Sequence, residues 1–369
     1  MKSILLASAS IVAFAGAAMA QSITFGGSAE LGFNDEEEDG FFYSADLDVT
    51  FSTTIDNGLT ATATFTLPIA SDNLGNTSIG VDDNYVLSLA SEGFGGLYFG
   101  DTSFAAEKHW DAGFAMASDG FSEQDNETVL RGDGVLNDWE LSVSAIIADA
   151  DNDRSGSGGS GRDYLDQISI GGSGSFGNFL IDLAYQEESS IGAGLAYGDE
   201  TVATSAGVYD SNNEDFNPNE LLAAAVGATY GGADLKFAVA RDNTADTTSY
   251  GVLVRYPVGP VAVYGSYTFE PDFTDDSWKV GADYESGAIT ASVYYESEIG
   301  VEDFGIEAGY AYDENTNIYV GYIDSDGAYA GARIGIGSNA YVEASYAEFT
   351  DAGPTEFRQG TTFMVGLTF

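Results

Sequence analysis

The chain of 369 residues contains no cysteine. This absence excludes a disulfide scaffold and any cysteine-based metal site. The chain also has only one histidine, His109, and a single histidine cannot by itself form a histidine-based metal site. No nucleophile and acid stand around His109 in a way that suggests a catalytic triad. The composition therefore points away from enzymes, and no cofactor is expected.

Basic residues are also scarce. The chain has 11 lysines and arginines against 59 aspartates and glutamates, which gives a formal net charge of −48. Nucleic-acid binding requires clustered lysine and arginine, so this composition excludes nucleic acid as a partner. Such an excess of acid either keeps a protein dispersed in water or lies where water and cations screen it.

Long apolar runs are absent after the first 20 residues, and a spanning helix needs about 18 or more. The first 20 residues themselves follow the pattern of a secretory signal. Lys2 provides the positive start, residues 4–17 the apolar stretch, and residues 18–20 the small-x-small cleavage site before Gln21. We therefore predict a cleaved signal peptide over residues 1–20 and a single domain over residues 21–369.

What the chain does contain is a repeated alternation of apolar and polar residues in segments of about ten. Residues 22–33 and 59–67 are clear examples, and Asp56-Asn57-Gly58 is a tight hairpin turn between two such segments. This pattern predicts an all-β fold of about 20 strands. An open sheet of that size would expose aggregation-prone edges, which favours a closed antiparallel barrel. In an outer-membrane barrel the apolar face meets lipid; a soluble β-sandwich is the alternative.

Aromatic residues gather near the ends of the predicted strands, as expected of the interfacial girdles of a membrane barrel. The residues interpreted in this way are Phe41, Phe42, Tyr43, Tyr294, Tyr295, Tyr310 and Tyr312. One stretch, residues 102–126, breaks the alternation and shows no helical stripe. A loop of this length inside a compact domain is usually functional or disordered, and its aromatic residues argue against disorder.

Four stretches make the chain resemble a Gram-negative general porin, in particular the Rhodobacter-type porins of alphaproteobacteria. They are FGGLYFGD at 94–101, GSFGNFLIDLAYQEE at 174–188, VGADYESGAITASVYY at 280–295 and FMVGLTF at 363–369. The resemblance implies a homotrimer of water-filled transmembrane barrels with short periplasmic turns and long external loops. It also implies that the third loop, residues 102–126, folds into the lumen. The family typically has 16 strands, whereas the hairpins counted here give about 20.

The resemblance assigns candidate roles to three groups of residues. Carboxylates that point into a pore favour cations, and the loop acids are Glu107, Asp111, Asp119, Glu123 and Asp125. Basic residues with the parity of the polar strand face are the candidates for the opposite wall: Arg131, Lys236, Arg255, Lys279 and Arg333. The C-terminal strand matches the family's outer-membrane assembly signal at Phe363, Val365, Leu367 and Phe369.

Other short sequence patterns give only weak indications of a binding site. Asp149, Asp151 and Asp153 have the first spacings of a calcium-binding EF-hand loop, but Arg154 stands where the loop needs glycine. Weak Ca²⁺ or Mg²⁺ binding at these acids or at residues 35–39 is an open alternative to simple charge display. The glycines of residues 156–161 open no helix, so a dinucleotide site is not expected.

The leading functional hypothesis is a passive diffusion channel in the cell outer membrane for small hydrophilic solutes and ions, with a preference for cations. Outer-membrane lipid, lipopolysaccharide and the assembly machinery are the partners that the resemblance implies. A substrate-selective channel, in which lumen tyrosines such as Tyr294 and Tyr319 guide a sugar, is the first alternative. A soluble secreted β-sandwich adhesin or binding protein is the second.

Overall fold

The computed structural model describes residues 21–37, 39–55, 58–71, 85–91, 93–123, 128–148, 164–189, 216–350 and 352–369. These residues form 20 strands and one short helix, α1 (Ala105–His109). The first ten strands are β1 (Gln21–Asn34), β2 (Phe41–Thr54), β3 (Thr60–Ser71), β4 (Tyr85–Ser91), β5 (Gly95–Asp101), β6 (Thr128–Leu136), β7 (Trp139–Ala148), β8 (Tyr164–Phe176), β9 (Phe179–Gln186) and β10 (Leu221–Tyr230). The second ten are β11 (Ala233–Asp242), β12 (Thr247–Val258), β13 (Val261–Phe269), β14 (Ser277–Ser286), β15 (Ile289–Glu298), β16 (Val301–Ala311), β17 (Thr316–Ile323), β18 (Gly327–Gly337), β19 (Ala340–Ala347) and β20 (Gly360–Thr368).

The strands close into one antiparallel barrel. Each strand pairs with its neighbours in sequence, and β20 pairs with β1, where Ser28 lies opposite Thr368 and Asn34 opposite Thr362. Closure leaves no sheet edge exposed. The barrel with its even strand number confirms the predicted fold class. The count of 20 agrees with the hairpins in the sequence; the family-derived number of 16 and the soluble sandwich are wrong.

Connections alternate between the two ends of the barrel. Tight turns close one end, and glycines with left-handed backbone, such as Gly177 (φ 66°) and Gly231 (φ 62°), allow them. The opposite end carries the long connections, although β15 and β16 are joined there by only two residues, Ile299 and Gly300. The third of these, residues 102–126, is called L3 below, and the tenth, residues 348–359, is called L10. The predicted extra hairpin at 191–197 and 202–209 lies outside the described residues.

Apolar side chains cover the outside of the barrel. Along β12, for example, Val252 and Val254 are each 43% exposed, whereas Arg255 between Val254 and Tyr256 has the opposite parity. The four residues of the predicted assembly signal, Phe363, Val365, Leu367 and Phe369, are all exposed on this outer face. An apolar outer band is what a barrel in lipid requires, because lipid offers no partner to polar side chains.

The predicted aromatic girdle is correct for five of its seven residues. The outward, exposed residues are Phe41, Tyr43, Tyr295, Tyr310 and Tyr312. The girdle assignment is wrong for Phe42, because this residue is 1% exposed and packs over Gly32 on the inner wall. It is also wrong for Tyr294, because this residue packs over Gly305 inside the barrel. Each has the opposite strand parity to its aromatic neighbour in sequence.

The main hydrophobic core lies inside the barrel, where L3 meets the wall. Ala106, Met116 and Phe121 of L3 are buried against small wall residues and one leucine. The wall residues of this core are Ala184, Leu221, Ala223, Ala225, Ala238 and Ala240. Small side chains on the inner face of β9–β11 therefore make room for the loop. Within the described part of the chain, no helix is both long and apolar enough to cross a membrane.

Candidate pore constriction

L3 enters the barrel through α1, whose first turn is bound to the wall. The backbone N–H groups of Ala105 and Ala106 donate to Ser144 Oγ and Ser169 Oγ, each at 2.8 Å. N–H groups in the first turn of a helix have no partner within the helix, so these wall hydroxyls satisfy donors that would otherwise be buried without partners. This five-residue helix was not predictable from the local sequence, because most of its support comes from residues of β7 and β8.

Glu107 also stabilises the start of α1 and does not face the pore freely. Its Oε2 accepts the backbone N–H of Phe104 at 2.9 Å, which fixes the entry of the chain into the helix. Burial raises the pKa of Glu107, against a lowering contribution from that same hydrogen bond. This predicted constriction acid is therefore part of the docking of L3.

His109 is buried at the end of α1 between two serines of the wall. Ser142 Oγ donates to Asp133 Oδ1 at 2.8 Å, so it accepts a hydrogen bond from Nε2–H of His109, also at 2.8 Å. His109 Nδ1 then accepts from Ser173 Oγ at 2.8 Å. Burial lowers the pKa of His109, and the nearby Lys108 charge lowers it further. The neutral Nε2–H tautomer assigned from these contacts anchors the helix.

Glycine on the wall permits this close approach. A Cβ at Gly171 of β8 would collide with the carbonyl oxygen of Ala105 and with the His109 ring. The backbone of Gly171 is not in the left-handed region, so glycine is needed there only for the space beneath α1. The region GSFGNFLIDLAYQEE begins three residues later, at Gly174, but nothing in the sequence indicates that a helix packs on Gly171.

The middle of L3 folds on itself and is pinned to the wall at Lys236. The indole Nε1–H of Trp110 donates to Asp119 Oδ2 at 2.9 Å, and the Trp110 and Phe121 rings pack edge to face at 5.9 Å. Burial raises the pKa of Asp119 to about 7. Lys236 Nζ contacts the carbonyl oxygen of Asp111 and lies 3.4 Å from its carboxylate.

The far part of L3 is hydrogen-bonded to β12 and β13 and to the connection that follows. Thr268 Oγ1 donates to the carbonyl oxygen of Ala115 at 2.7 Å. Glu270, just beyond β13, accepts the backbone N–H of Ala117 at 2.9 Å and the hydroxyl of Ser249. Burial raises the pKa of Glu270. L3 therefore crosses the inner wall from β7 to β13 and narrows the lumen along that arc.

The return of L3 is held by a network of amides and hydroxyls. Ser122 donates its backbone N–H to Gln186 Oε1 at 2.8 Å and its hydroxyl to the Gln167 side chain at 3.1 Å. The carbonyl oxygen of Asn217 accepts from both glutamines, at 2.6 Å from Gln167 and 2.7 Å from Gln186. Satisfied buried networks of this kind fix one arrangement of the chain.

The predicted loop acids thus differ in position. Glu107 and Asp119 are partly buried in the docking of L3, whereas Asp111 and Glu123 are exposed. Asp125 lies outside the described residues, as do Asp149, Asp151 and Asp153 and the glycines of residues 156–161. No cluster of three or more metal-ligating side chains occurs among the residues that the structure describes.

Each predicted basic wall residue has an acidic partner. Arg131 Nε lies 2.9 Å from Asp133, Lys236 Nζ lies 3.4 Å from both Asp111 and Asp182, and Arg255 lies 2.7 Å from Asp283. Lys279 lies 2.8 Å from Glu296, and Arg333 lies 2.7 Å from Glu343. These five bases spread over β6, β11, β12, β14 and β18, so the structure does not gather them into one basic cluster opposite L3.

Two acids on the inner face of β2 have no basic partner among the described residues. Asp46 accepts from Ser28 Oγ at 3.4 Å, and Asp48 accepts from Thr66 Oγ1 at 2.8 Å. Alternation along β2 places both on the side opposite to the exposed Phe51 and Tyr43. The wall of β1–β3 thus presents negative charge and hydroxyl groups to the lumen.

Tyrosines that lie flat over glycines line the inner wall of β13–β20. The pairs are Tyr264 over Gly281, Tyr294 over Gly305, Tyr329 over Gly321 and Tyr341 over Gly366. A basic group covers three of these rings: Arg255 over Tyr264, Lys279 over Tyr294 and Arg333 over Tyr341, at 4.1–5.5 Å from the ring centroids. The sequence contains the glycines and tyrosines but not their pairing, which depends on strand register.

A closed barrel with an apolar outer band, a polar inner wall and a loop docked inside its lumen has the architecture of a transmembrane β-barrel channel. The chain belongs to the Gram-negative porin family, whose family model matches residues 7–322. A search of curated proteins gave no match.

The solved structures that resemble the chain include porins. A triple mutant of the Rhodopseudomonas blastica porin shares 12% identity, with 94% of this chain and 100% of that chain covered and a TM-score of 0.41. OmpT, an outer membrane protein of Vibrio cholerae, shares 12% identity over 96% of this chain and 98% of that chain, with a TM-score of 0.38. A trimer form of OmpT shares 13% identity over 95% and 99% of the two chains, with a TM-score of 0.39.

Proposed function

We propose that this porin is a passive diffusion channel for small hydrophilic solutes and ions, and that it prefers cations. The observation that supports this best is the docking of L3 along the inner wall from β7 to β13, which narrows the lumen. Transport through such a channel depends on the width of the opening and the field of the charges around it. Catalysis is not expected.

The preference for cations follows from the distribution of charge. The basic groups of the wall are each paired with a carboxylate, so their fields are largely cancelled at distance. Asp46, Asp48 and the exposed acids Asp111 and Glu123 add negative charge, and Asp111 shares a lysine with Asp182. The field at the constriction is therefore expected to be net negative, which raises the local concentration of cations.

Purified protein in planar bilayers tests the channel proposal. We expect stepwise insertion events whose conductance rises with KCl concentration, as for ions that cross a water-filled pore. Protein boiled before addition serves as the control, since it has the same composition without the barrel. Folded wild-type protein that inserts into the bilayer but gives no conductance would contradict the proposal.

A substrate-selective channel is the second candidate, and the surroundings of Tyr319 favour it. Tyr319 borders a cavity of about 360 Å³ together with Glu307, so a sugar bound there would meet an aromatic ring and a carboxylate that accepts hydrogen bonds. Sugar added to one side would then block KCl current in a concentration-dependent way, and Tyr319→Ala would weaken the block. Unchanged current at all sugar concentrations leaves general diffusion as the function.

We further propose that the protein forms a homotrimer in the outer membrane. Residues 1–20 would direct its export and would then be removed. Lipid and lipopolysaccharide would contact the apolar band, and the assembly machinery would recognise Phe363, Val365, Leu367 and Phe369. The trimer form described for the Vibrio cholerae protein and the exposed apolar surface support this proposal. Chemical cross-linking in native membranes tests the trimer, and mass spectrometry of the mature N-terminus tests cleavage before Gln21.

Weak Ca²⁺ or Mg²⁺ binding at the acidic external loops stays a proposal.

A further inference from the structure

L10, the connection between β19 and β20, folds into the lumen as L3 does. Ala352 and Phe357 are both 0% exposed, although they belong to a connection at the end of the barrel. They form a hydrophobic cluster with Tyr329 and Ala347, and the Tyr329 and Phe357 rings lie 5.9 Å apart. A Cβ at Gly331 would collide with the Phe357 ring.

The partners of L10 belong to the inner wall. Tyr329 and Gly331 flank the exposed Ala330 on β18, so they have the inward parity. The Tyr329 hydroxyl donates to Glu307 of β16 at 2.8 Å, which places the ring along the inside of the barrel. Because Phe357 rests on this ring and on Gly331, L10 lies inside the barrel.

Hydrogen bonds close the base of L10 and attach it to β1. The Asn34 side chain donates to the carbonyl oxygen of Gln359 at 2.7 Å, and the Gln359 side chain donates to the carbonyl oxygen of Glu348 at 3.0 Å. Within the loop, the Phe357 N–H donates to Ala352 at 2.8 Å. Arg358 extends over the inward Phe42 ring at 4.0 Å and lies 3.8 Å from Glu30. The loop is therefore held on both sides.

The tip of L10 meets the same wall residue as L3. Pro354 borders a cavity of about 360 Å³ together with Arg255, Asp283 and Glu307. Arg255 also borders a cavity of about 400 Å³ together with Gly113 and Ala115 of L3. Arg255 thus lies between two loops that enter from different parts of the barrel rim.

We propose that L10 is a second constricting element of the pore, with Pro354 and Arg255 on the border of the opening that L3 leaves. The inference rests on the proposed channel function and deepens it, since it identifies what limits the size of the permeant solute. Two loops anchored on opposite arcs narrow the lumen from two sides. The wall between them carries Arg255, Lys279 and the carboxylates paired with them.

The absence of cysteine provides a direct test, because any introduced thiol is unique in the chain. Pro354→Cys is treated in bilayers with charged methanethiosulfonate reagents, one cationic and one anionic. If Pro354 borders the opening, either adduct should lower single-channel conductance by roughly 1.5-fold or more, since conduction depends on pore radius. Ser338→Cys, exposed in the tight turn between β18 and β19, is the matched control and should keep its conductance after modification.

A second variant keeps the test decisive if the thiol perturbs the loop. Replacing residues 350–356 by Gly-Ser-Gly shortens L10 but leaves Phe357 and the strands intact, and conductance should rise by roughly twofold. If the wild-type protein conducts but conductance is unchanged both in labelled Pro354→Cys and in the shortened variant, the inference about L10 is wrong and the proposed channel function stands. Wild-type protein that never conducts would instead overturn the proposed channel.

Discussion

At the scale of single residues, the docking of L3 on the inner wall determines where the loop acids and His109 lie. The sequence makes Glu107, Asp111, Asp119 and Glu123 equivalent, since all four lie in one irregular stretch. The structure separates them: Glu107 and Asp119 bind groups of L3 itself, while Asp111 and Glu123 are exposed. Charge at the constriction therefore cannot be counted from the loop sequence alone.

Removal of the His109 ring should loosen L3. His109→Ala removes the hydrogen bond that Ser142 accepts and the one that Ser173 donates, and it opens a cavity under α1, so we expect a loss of about 1–3 kcal/mol in the free energy of unfolding. Urea unfolding in detergent micelles measures it. Glu123→Ala, an exposed substitution on the same loop, should change stability by less than about 0.5 kcal/mol. Equal effects of the two substitutions would contradict the anchoring role.

Asp119 predicts a dependence of loop stability on pH. Its pKa is raised from 3.8 to about 7 by burial, so between these values the folded protein holds a proton that the unfolded chain has released. Stability then falls as pH rises from about 4 to about 7 and levels off above that range. Glu107 and Glu270 also have raised pKa values and act in the same direction, whereas the lowered pKa of His109 acts in the opposite direction. The difference between wild type and Asp119→Asn isolates the contribution of Asp119. The pH slope of hydrogen-exchange protection in residues 110–123 should be smaller in the variant; an identical slope in both proteins would count against it.

At the scale of elements, the strands were predictable from alternation and the inward fold of L3 from the family resemblance, but the contacts that dock α1 and L10 were not predictable. The two faces of strands such as β1, β2 and β12 meet different surroundings, and the alternation of apolar and polar residues along each strand shows this in the sequence. The helix α1 and the loop L10 depend on Ser144, Gly171 and Gly331, which are distant in sequence. Their contacts follow from barrel closure and register, which no local pattern encodes. The inward position of Phe42 is a different case, because its parity, opposite to that of Phe41 and Tyr43, is visible in the sequence.

Docking of L3 should fail when the wall under α1 is filled. Gly171→Ala places a Cβ against the carbonyl oxygen of Ala105, so the helix must shift into the lumen or leave the wall. We expect single-channel conductance to change by roughly 1.5-fold or more, while the barrel still assembles. Gly227→Ala is the control, because the nearest atoms to its new Cβ lie at 3.7 and 3.8 Å. Unchanged conductance in Gly171→Ala would show that L3 does not set the opening.

At the scale of the whole molecule, the described residues form a closed barrel of 20 strands with an apolar outer band. On its described inner wall the basic side chains are paired, whereas Asp46 and Asp48 have no basic partner. The fold class was predictable because alternation and length together require closure. The excess of acid, on which the expected negative charge of the constriction rests, is visible in the composition. The pairing of Arg255 with Asp283 or of Arg333 with Glu343 is not visible in the sequence.

The reversal potential of the wild-type channel in a KCl gradient measures whether the pore prefers cations. Because the constriction is expected to be net negative, K⁺ should cross more readily than Cl⁻, and the dilute side should become positive at zero current. The double substitution Asp46→Asn and Asp48→Asn should move this potential toward zero. A reversal potential of the opposite sign, with the dilute side negative, would contradict a cation-preferring pore.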